Sequence, residues 1–438
     1  VTSRTYAYKE QDWQLPGFRD VVLAPFTAGQ IRRFVDRWYA HIAPLRGMHP
    51  DDAQGRAELL KRAIFGSDRL RALAARPLLL TLMASLHAWR GGSLPQKREE
   101  LYADTVDLLL DWWESQRVVR DADGTVRVIQ PSLAEWLKLD RDQVRERLNE
   151  LAYQAHASQP ELVGTADVPE GELVGGLMRI SQNPEVRPAR LIEFLTRRAG
   201  LLLPRGVGIY TFPHRTFQEY LAACHLTDRD YPDLVADLVR QDPDRWREVA
   251  LLAGAKAARG TASAVWSLVD ALCFQDLVPG AEQEGEDAWG ALLAGQALVE
   301  SGNLAQVSER NEQKVKHVQT HLVRVLEDGK LPPVDRAGTG RVLAKLGDPR
   351  PEVMAVEEMQ FCYVPPGPFW MGEGRDGHRN EHLGYGYWVA RYPVTVAQYR
   401  AFAEEGRQSK PRDPGEPWNL RNHPVVDVDS KAVMITSQ

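Results

Sequence analysis

A proline-rich breaker at residues 347–351, Gly-Asp-Pro-Arg-Pro, divides the sequence into two parts of different character. Before it, from residue 27 to 346, apolar residues recur at the three- and four-residue spacing of amphipathic α-helices. After it, glycine, proline and aromatic residues become dense and strong helix formers thin out. The chain is therefore predicted to form a mainly helical body followed by a separate domain that begins near residue 355.

The helical part carries its own start and stop signals. Thr27, with Gln30 three residues later, has the pattern of a capping box. Pro77 suits the first turn of a helix, and Gly91 with Gly92 ends that helix. These signals predict helices that begin near residues 27 and 77.

Residues 201–212 are predicted to form a hairpin whose turn is made by Pro204, Arg205 and Gly206. A helix is predicted to begin directly after it, at Pro213. A strand-turn-strand unit beside helices is typical of a winged-helix domain. From residue 232 to 346 the pattern is almost entirely helical and would suit stacked helix pairs of the HEAT kind, although no fixed-period repeat is evident.

Charge, cysteine content and hydropathy exclude several classes of protein. The net charge of −6 over 438 residues argues against a nucleic-acid-binding surface as the main function. Three separated cysteines, Cys224, Cys273 and Cys362, fit a reducing cytoplasm better than a disulfide-stapled secreted protein. The most apolar stretch, residues 78–89, falls short of the roughly 18 apolar residues of a membrane span. We therefore expect a cytoplasmic protein without a membrane or nucleic-acid partner.

Both ends of the sequence predict a fragment of a longer protein. Val1 lies within a strand-like segment and is not an initiator methionine. The sequence ends at Gln438 without a helix or tail that would complete a domain.

Three phrases in the first 260 residues resemble the NACHT family of signal-transduction NTPases, from the end of the nucleotide-binding domain onward. They are Val-Thr-Ser-Arg at 1–4 followed by Leu-Pro-Gly-Phe at 15–18, Arg-Pro-Leu-Leu-Leu-Thr at 76–81, and Tyr-Thr-Phe-Pro-His-Arg-Thr-Phe-Gln-Glu-Tyr-Leu at 210–221. Each phrase alone is weak, but their joint order is specific.

The resemblance implies nucleotide-binding roles for three residues. Arg4 matches the family's sensor arginine, whose guanidinium binds the terminal phosphate and so distinguishes a triphosphate from a diphosphate. Pro77 matches a proline that packs near adenine, and His214 matches a winged-helix histidine that contacts the inner phosphates in the resting state. Without the family, Arg4 would be read as the partner of a surface carboxylate, Pro77 as a helix-start proline and His214 as a capping or core residue.

The sequence lacks the rest of a nucleotide site. It contains no Gly-x-x-x-x-Gly-Lys-Ser/Thr segment to cradle phosphates, and no acidic run that closes an apolar strand and could hold Mg²⁺. In the family both lie upstream of the phrase at Val1. The resemblance thus implies ATP or ADP with Mg²⁺ in an intact parent that hydrolyses NTP slowly, and no tight nucleotide binding or hydrolysis by this chain alone.

A second resemblance begins at residue 361. The phrases Phe-Cys-Tyr-Val-Pro-Pro-Gly-Pro-Phe-Trp-Met-Gly at 361–372, Arg-Tyr-Pro-Val-Thr at 391–395 and Asn-His-Pro-Val-Val at 422–426 are similar to the start of a formylglycine-generating-enzyme (sulfatase-modifying-factor) domain, a relative of the C-type lectin fold. After residue 426 the sequence no longer resembles this family. The family's copper-binding cysteine pair would lie beyond Gln438, and Cys362 does not match it. His378, Glu381 and His382 are interpreted as a solvated loop rather than a metal site.

These observations predict a multidomain, mainly α protein with an α+β end. The predicted order is the end of a P-loop ATPase domain at 1–25, a helical domain at 26–125, a winged helix at 126–228, a helical linker domain at 229–350, and a truncated formylglycine-generating-enzyme-like domain at 355–438.

Three functions remain open at this point. The first is an ATP/ADP-switched signalling NTPase whose C-terminal domain binds an unknown ligand or protein. Its other partners would be the upstream P-loop domain and, once activated, further copies of itself. The second is a regulated oxidase that acts on a protein cysteine, and the third is an inactive gene fragment. A cysteine pair in the complete C-terminal domain would favour the oxidase.

Overall fold

The computed structural model describes residues 17, 21–22, 24–95, 97–120, 126–197, 201–278, 283–302, 304–374, 377–404, 415 and 418–428. Contacts between Cα atoms divide the chain into two compact units. Unit 1 contains residues 1–235 and 244–259, and unit 2 contains residues 236–243 and 260–438. The predicted strand end at 1–25, including Arg4, lies almost wholly outside the described residues.

The described part of the chain is mainly helical, as predicted. The helices up to the end of the predicted winged helix are α1 Ala28–Leu45, α2 Pro50–Phe65, α3 Asp68–Ala74, α4 Pro77–Trp89, α5 Arg98–Glu114, α6 Leu133–Leu137, α7 Arg141–Ser158, α8 Glu170–Ile180, α9 Pro188–Arg197 and α10 Arg215–Thr227. Those that follow are α11 Asp233–Gln241, α12 Pro243–Gly260, α13 Ser263–Leu272, α14 Gly285–Ser301, α15 Glu309–Asp328, α16 Pro333–Leu346, α17 Pro351–Met354 and α18 Val396–Glu404.

Helix α1 begins where its capping signal predicts. The Thr27 hydroxyl accepts the Gln30 N–H, and the Gln30 side chain accepts the Thr27 N–H in return. This satisfies two of the donors that a helix start leaves without intrahelical partners. The apolar face of α1 then packs into one core with α2, α3 and α4. Pro77 is the first residue of α4, and Gly91 and Gly92 follow that helix with positive φ, both as predicted.

The segment from α7 to β5 has the connectivity of a winged helix: a helix, a strand, two helices and a β-hairpin. Strands β3 Asp167–Pro169, β4 Leu203–Gly206 and β5 Ile209–Thr211 form an antiparallel sheet in the order β3-β5-β4. Helix α10 packs mainly against α7. Strands β1 Arg117–Arg120 and β2 Val126–Gln130 form a separate antiparallel pair ahead of this segment.

Two local details of the hairpin prediction are wrong. The turn is made by Val207 and Gly208, not by Pro204, Arg205 and Gly206, which belong to β4. Gly208 has φ of +73°, a backbone conformation that glycine adopts without steric cost. The helix after the hairpin begins at Arg215, because His214 occupies its N-cap position with extended backbone angles.

A buried glutamine joins the helices of the winged helix to its sheet. Gln218 on α10 is fully buried, and its Oε1 accepts the N–H of Ala166, 2.8 Å away. Its Nε2 lies 3.1 Å from both His156 Nδ1 and Gln159 Oε1, at the end of α7. Because an unsatisfied buried amide costs about 1–3 kcal/mol, this network fixes the relation of α10 to α7 and β3.

The helices of unit 2 approach each other closely. Helix α14 contacts α13, α15 and α16. A Cβ atom added at the buried Gly290 of α14 would overlap with the carbonyl oxygen of Leu272, at the end of α13. The absence of a side chain at this position therefore allows the two helix backbones to meet.

Residues 351–428 combine short strands with one longer helix. Strand β6 Phe361–Val364 pairs with β9 Tyr387–Ala390, and β7 Phe369–Met371 pairs with β8 His378–Asn380, both antiparallel. Helix α18 packs on the segment that follows the breaker, where Gln398 Nε2 donates to the carbonyl oxygens of Glu352 and Ala355. Much of the aromatic surface of the strands is exposed: Trp370 is 70% and Trp388 65% accessible.

Candidate functional site

Pro77 and His214, two of the three residues predicted to bind nucleotide, lie at the starts of two helices. Pro77 is exposed at the first position of α4, directly after the N-cap residue Arg76. His214 is half-buried at the N-cap of α10, where its Nδ1 accepts the Thr216 N–H over 3.2 Å. The third residue, Arg4, lies outside the described residues.

Arg76 connects the two helix starts. Its Nη1 lies 2.7 Å from Nε2 of His214, although 138 residues separate the two positions. The structure therefore brings His214 next to the Arg76-Pro77 pair at the start of α4. Sequence reasoning did not single out Arg76; the available signal was its place immediately before Pro77.

Two donors, the Arg76 guanidinium and the Thr216 N–H, approach the two ring nitrogens of His214. A neutral imidazole can accept a hydrogen bond at only one of these nitrogens. A guanidinium only donates, so a bond from Arg76 requires a lone pair on Nε2 and puts the ring proton on Nδ1. That proton can go to the Thr216 hydroxyl, 2.9 Å away, but the Thr216 N–H then loses its acceptor. The other neutral tautomer keeps the N-cap bond and turns an N–H toward the guanidinium. In this second tautomer, Arg76 and His214 direct donors to the same edge, where an anion could accept from both.

An aromatic wall supports the histidine from inside unit 1. The ring of Phe217 meets His214 edge-on, with centroids 6.5 Å apart, and Tyr102 packs edge-on against Phe217 at 6.4 Å. Phe217 and Tyr102 are both buried, and burial raises the pKa of Tyr102 to about 12. The wall fixes the position of the imidazole, so that its Nε2 edge stays directed at Arg76.

The neighbouring arginines differ from Arg76 in their partners. Arg98 pairs with Glu248 at 2.5 Å, and Arg215 pairs with the buried Glu219 at 2.7 Å. Burial raises the pKa of Glu219, while its bond to Arg215 works in the opposite direction. Arg76 instead contacts a histidine, which carries no negative charge, so this contact does not neutralise the charge of Arg76. It is also exposed, which makes it available to an anion from solvent.

A family comparison places this histidine in a known domain type. Residues 98–226, which include His214, match the model of the winged helix-turn-helix domain C-terminal to NACHT. Residues 98–226 are thus similar to a NACHT-associated winged helix. This match supports a NACHT-type signalling protein, and it confirms the winged helix predicted from the sequence. No curated protein matches the chain.

The NACHT-associated winged helix covers less than a third of the chain, and the other domain boundaries stay predictions. The match begins at α5, whereas the predicted winged helix begins at residue 126. The likeness of residues 355–438 to a formylglycine-generating enzyme also stays a prediction. Among the described helices, none combines the length and the apolar character needed to cross a bilayer.

Proposed function

We propose that this chain is part of an ATP/ADP-switched signalling NTPase of the NACHT type. The observation that carries the proposal is the 2.7 Å contact between Arg76 and His214, inside and next to a NACHT-associated winged helix. In the resting state, phosphate oxygens of ADP accept hydrogen bonds from both side chains. Arg4 contributes the sensor guanidinium, and Pro77 packs near the adenine.

Nucleotide exchange then acts on the link between α4 and α10. ADP holds the link closed because it binds both helix starts at once, whereas ATP favours a state in which they separate. Such a switch works only if the two nucleotides have different affinities for the two states. The released molecule assembles with further copies of itself. A P-loop domain of the same protein supplies the phosphate cradle and Mg²⁺.

The C-terminal domain serves as the ligand-binding head in this proposal. Its support is the sequence likeness at 361–372, 391–395 and 422–426, together with exposed aromatic side chains on the strands of that region. Exposed aromatic clusters are common in recognition surfaces. Cys362 is exposed on β6, and we assign it no catalytic role.

The first test is the gene sequence ahead of the Val1 codon. The proposal requires a P-loop of the form Gly-x-x-x-x-Gly-Lys-Ser/Thr within about 150 residues upstream. A gene without one would refute the NTPase function.

The second test measures ADP affinity of the native gene product. His214→Ala and Arg76→Gln should each weaken ADP binding by about tenfold or more, because each removes one phosphate hydrogen bond worth on the order of 1.5 kcal/mol. His41→Ala is the matched control, since His41 is exposed on α1. Isothermal titration calorimetry with ADP gives the affinities. Unchanged affinity in both site variants would contradict the assignment.

A further inference from the structure

Unit 2 brings together three side chains of the types that bind transition metals. Cys273 is the C-cap residue of α13, and its N–H donates to the Val269 carbonyl at 3.0 Å. His317 and His321 lie four residues apart on α15, so they face the same direction one helical turn apart. The ligand atoms of the three residues all lie within 4.8 Å of one another.

Two buried polar atoms at this cluster have no hydrogen-bond partner among the described residues. His321 is 2% exposed, and its Nε2 is one of these atoms. Gln283 Nε2 lies 3.1 Å from the other ring nitrogen, Nδ1, while Gln283 Oε1 is also buried without a partner. Buried polar atoms of this kind are costly unless a partner or a metal satisfies them. A metal bound by His321 would satisfy its ring nitrogen.

The second ring nitrogen has the partner that a metal-bound histidine needs. A half-turn of the Gln283 amide exchanges atoms that heavy-atom positions do not distinguish, and Oε1 then accepts the Nδ1 proton of His321. This fixes the tautomer whose Nε2 lone pair is free for a metal. Gln283 is itself held in place, since its N–H donates to Asp328 on α15 at 3.1 Å.

The ligand chemistry favours zinc. One thiolate and two imidazoles suit Zn²⁺, because soft sulfur and borderline nitrogen ligands select it over Mg²⁺ or Ca²⁺. Tetrahedral zinc with bonds of about 2.0–2.3 Å places its ligand atoms about 3.3–3.6 Å apart. The distances between the three atoms must therefore shorten by at most about 1.5 Å, a change within reach of side-chain rotation.

Metal binding sets the protonation states of the ligands. Cys273 must bind as a thiolate and the two histidines as neutral imidazoles, so zinc binding releases the thiol proton.

A cleft adjoins the cluster on the side of Cys273 and His317. It measures about 560 Å³ and is also lined by Arg310, Lys314 and Phe274. Three protein ligands leave the fourth position of tetrahedral zinc open, as in sites that keep a water or an exchangeable ligand. The two basic side chains at the rim favour an anionic ligand there, although Lys314 is paired with Asp270 at 2.5 Å.

We propose that Cys273, His317 and His321 form a zinc site in unit 2, with Gln283 as the residue that positions His321 and the fourth coordination position open to the cleft. The site is independent of the nucleotide contacts proposed for unit 1. It does not involve His378 or His382, the histidines weighed in the sequence.

The test is metal binding by the full chain after removal of metal with a chelator. One Zn²⁺ per chain is expected by elemental analysis after dialysis against a zinc buffer. With Co²⁺ as the probe, a thiolate-to-cobalt absorption band and intense visible bands are expected, since both report a tetrahedral site with sulfur. A chain that binds no metal, or a cobalt spectrum without the thiolate band, would overturn the proposal.

Variants separate this site from surface binding. Cys273→Ser should abolish the thiolate band, and the half-buried His317→Ala should lower zinc affinity with least effect on packing. Gln283→Leu should weaken binding by about 10–100-fold, the usual effect of losing the partner of a ligating histidine. Cys362→Ser and His378→Ala are the matched controls, because both residues are exposed elsewhere in unit 2. Equal loss of the band in Cys362→Ser, with circular dichroism unchanged, would also refute the site.

Discussion

His87 is a titratable side chain in the core of the first four helices. It is 1% exposed, and its Nδ1 lies 2.5 Å from the hydroxyl of Tyr39 on α1. Burial, reinforced by the charge of Arg56, lowers its pKa from 6.5 to about 4, while the Gly92 backbone opposes this shift. The folded protein therefore keeps His87 neutral at pH values where an unfolded chain would protonate it.

This residue predicts a loss of stability in mild acid. Between pH 6.5 and about 4 the unfolded chain binds the extra proton, so the free energy of unfolding falls as the pH falls through that window. The full effect is on the order of 3 kcal/mol. Urea unfolding, followed by circular dichroism at several pH values, should show a shallower pH dependence in His87→Gln than in the wild type. His41→Gln, on the exposed side of α1, should retain the wild-type slope; equal slopes in all three proteins would contradict the prediction.

Single residues differed in how far the sequence revealed their roles. Pro77 and His214 stood in phrases that resemble a known family, and the structure brings them to adjacent helix starts. Arg76 was missed because its partner lies 138 residues away, and no local pattern encodes such a contact. The zinc ligands were missed for the same reason, since Cys273 and His317 come together through the packing of α13 with α15.

At the scale of helices and strands, sequence signals predicted an element correctly where the interaction that forms it joins residues close in sequence. The capping box of Thr27 and Gln30 closes within three residues, so it was readable from the sequence and occurs as predicted. The turn of the β4–β5 hairpin was misplaced because two candidate glycines, Gly206 and Gly208, follow each other closely. Pairing with β5 places Gly206 in the strand and Gly208 in the turn, and that pairing is a tertiary property.

The contact between α13 and α14 gives a prediction about helix packing. Gly290→Ala should destabilise unit 2 by about 1–3 kcal/mol, because the added methyl group collides with backbone, which cannot move aside as a flexible side chain can. Gly338→Ala in α16 is the control: no atom of the described residues lies within 4 Å of its added Cβ, and removing a helical glycine should stabilise by about 0.5–1 kcal/mol. Thermal unfolding of both variants tests whether Gly290→Ala lowers the stability of the protein and Gly338→Ala raises it. A stable Gly290→Ala protein would show that the helices can separate without cost.

On the scale of the whole molecule, residues 361–390 differ from the helical body. Their strands form two separate two-stranded pairs in the described part of the chain, and such pairs are marginally stable in water. Large aromatic side chains on these strands remain exposed, so little apolar area is buried to hold them together.

We therefore expect brief trypsin treatment to cut first in this region, at Arg379, or directly after it, at Arg391. Arg310 and Arg341 provide the internal comparison, because they are also exposed but lie within α15 and α16. Mass spectrometry of the early fragments identifies the cut sites. Cleavage on the helices as fast as at residues 379–391 would show that this region is as stable as the body.

The division of the chain into two units has a consequence for how the gene can be rearranged. The sequence passes from unit 1 to unit 2 after residue 235, returns after residue 243 and leaves again after residue 259. A single crossover after residue 235 would separate residues 244–259, most of α12, from the rest of unit 1. A single crossover after residue 259 would separate residues 236–243 from the rest of unit 2. Neither unit can be exchanged whole by one recombination event, so we expect related genes to inherit the two units together.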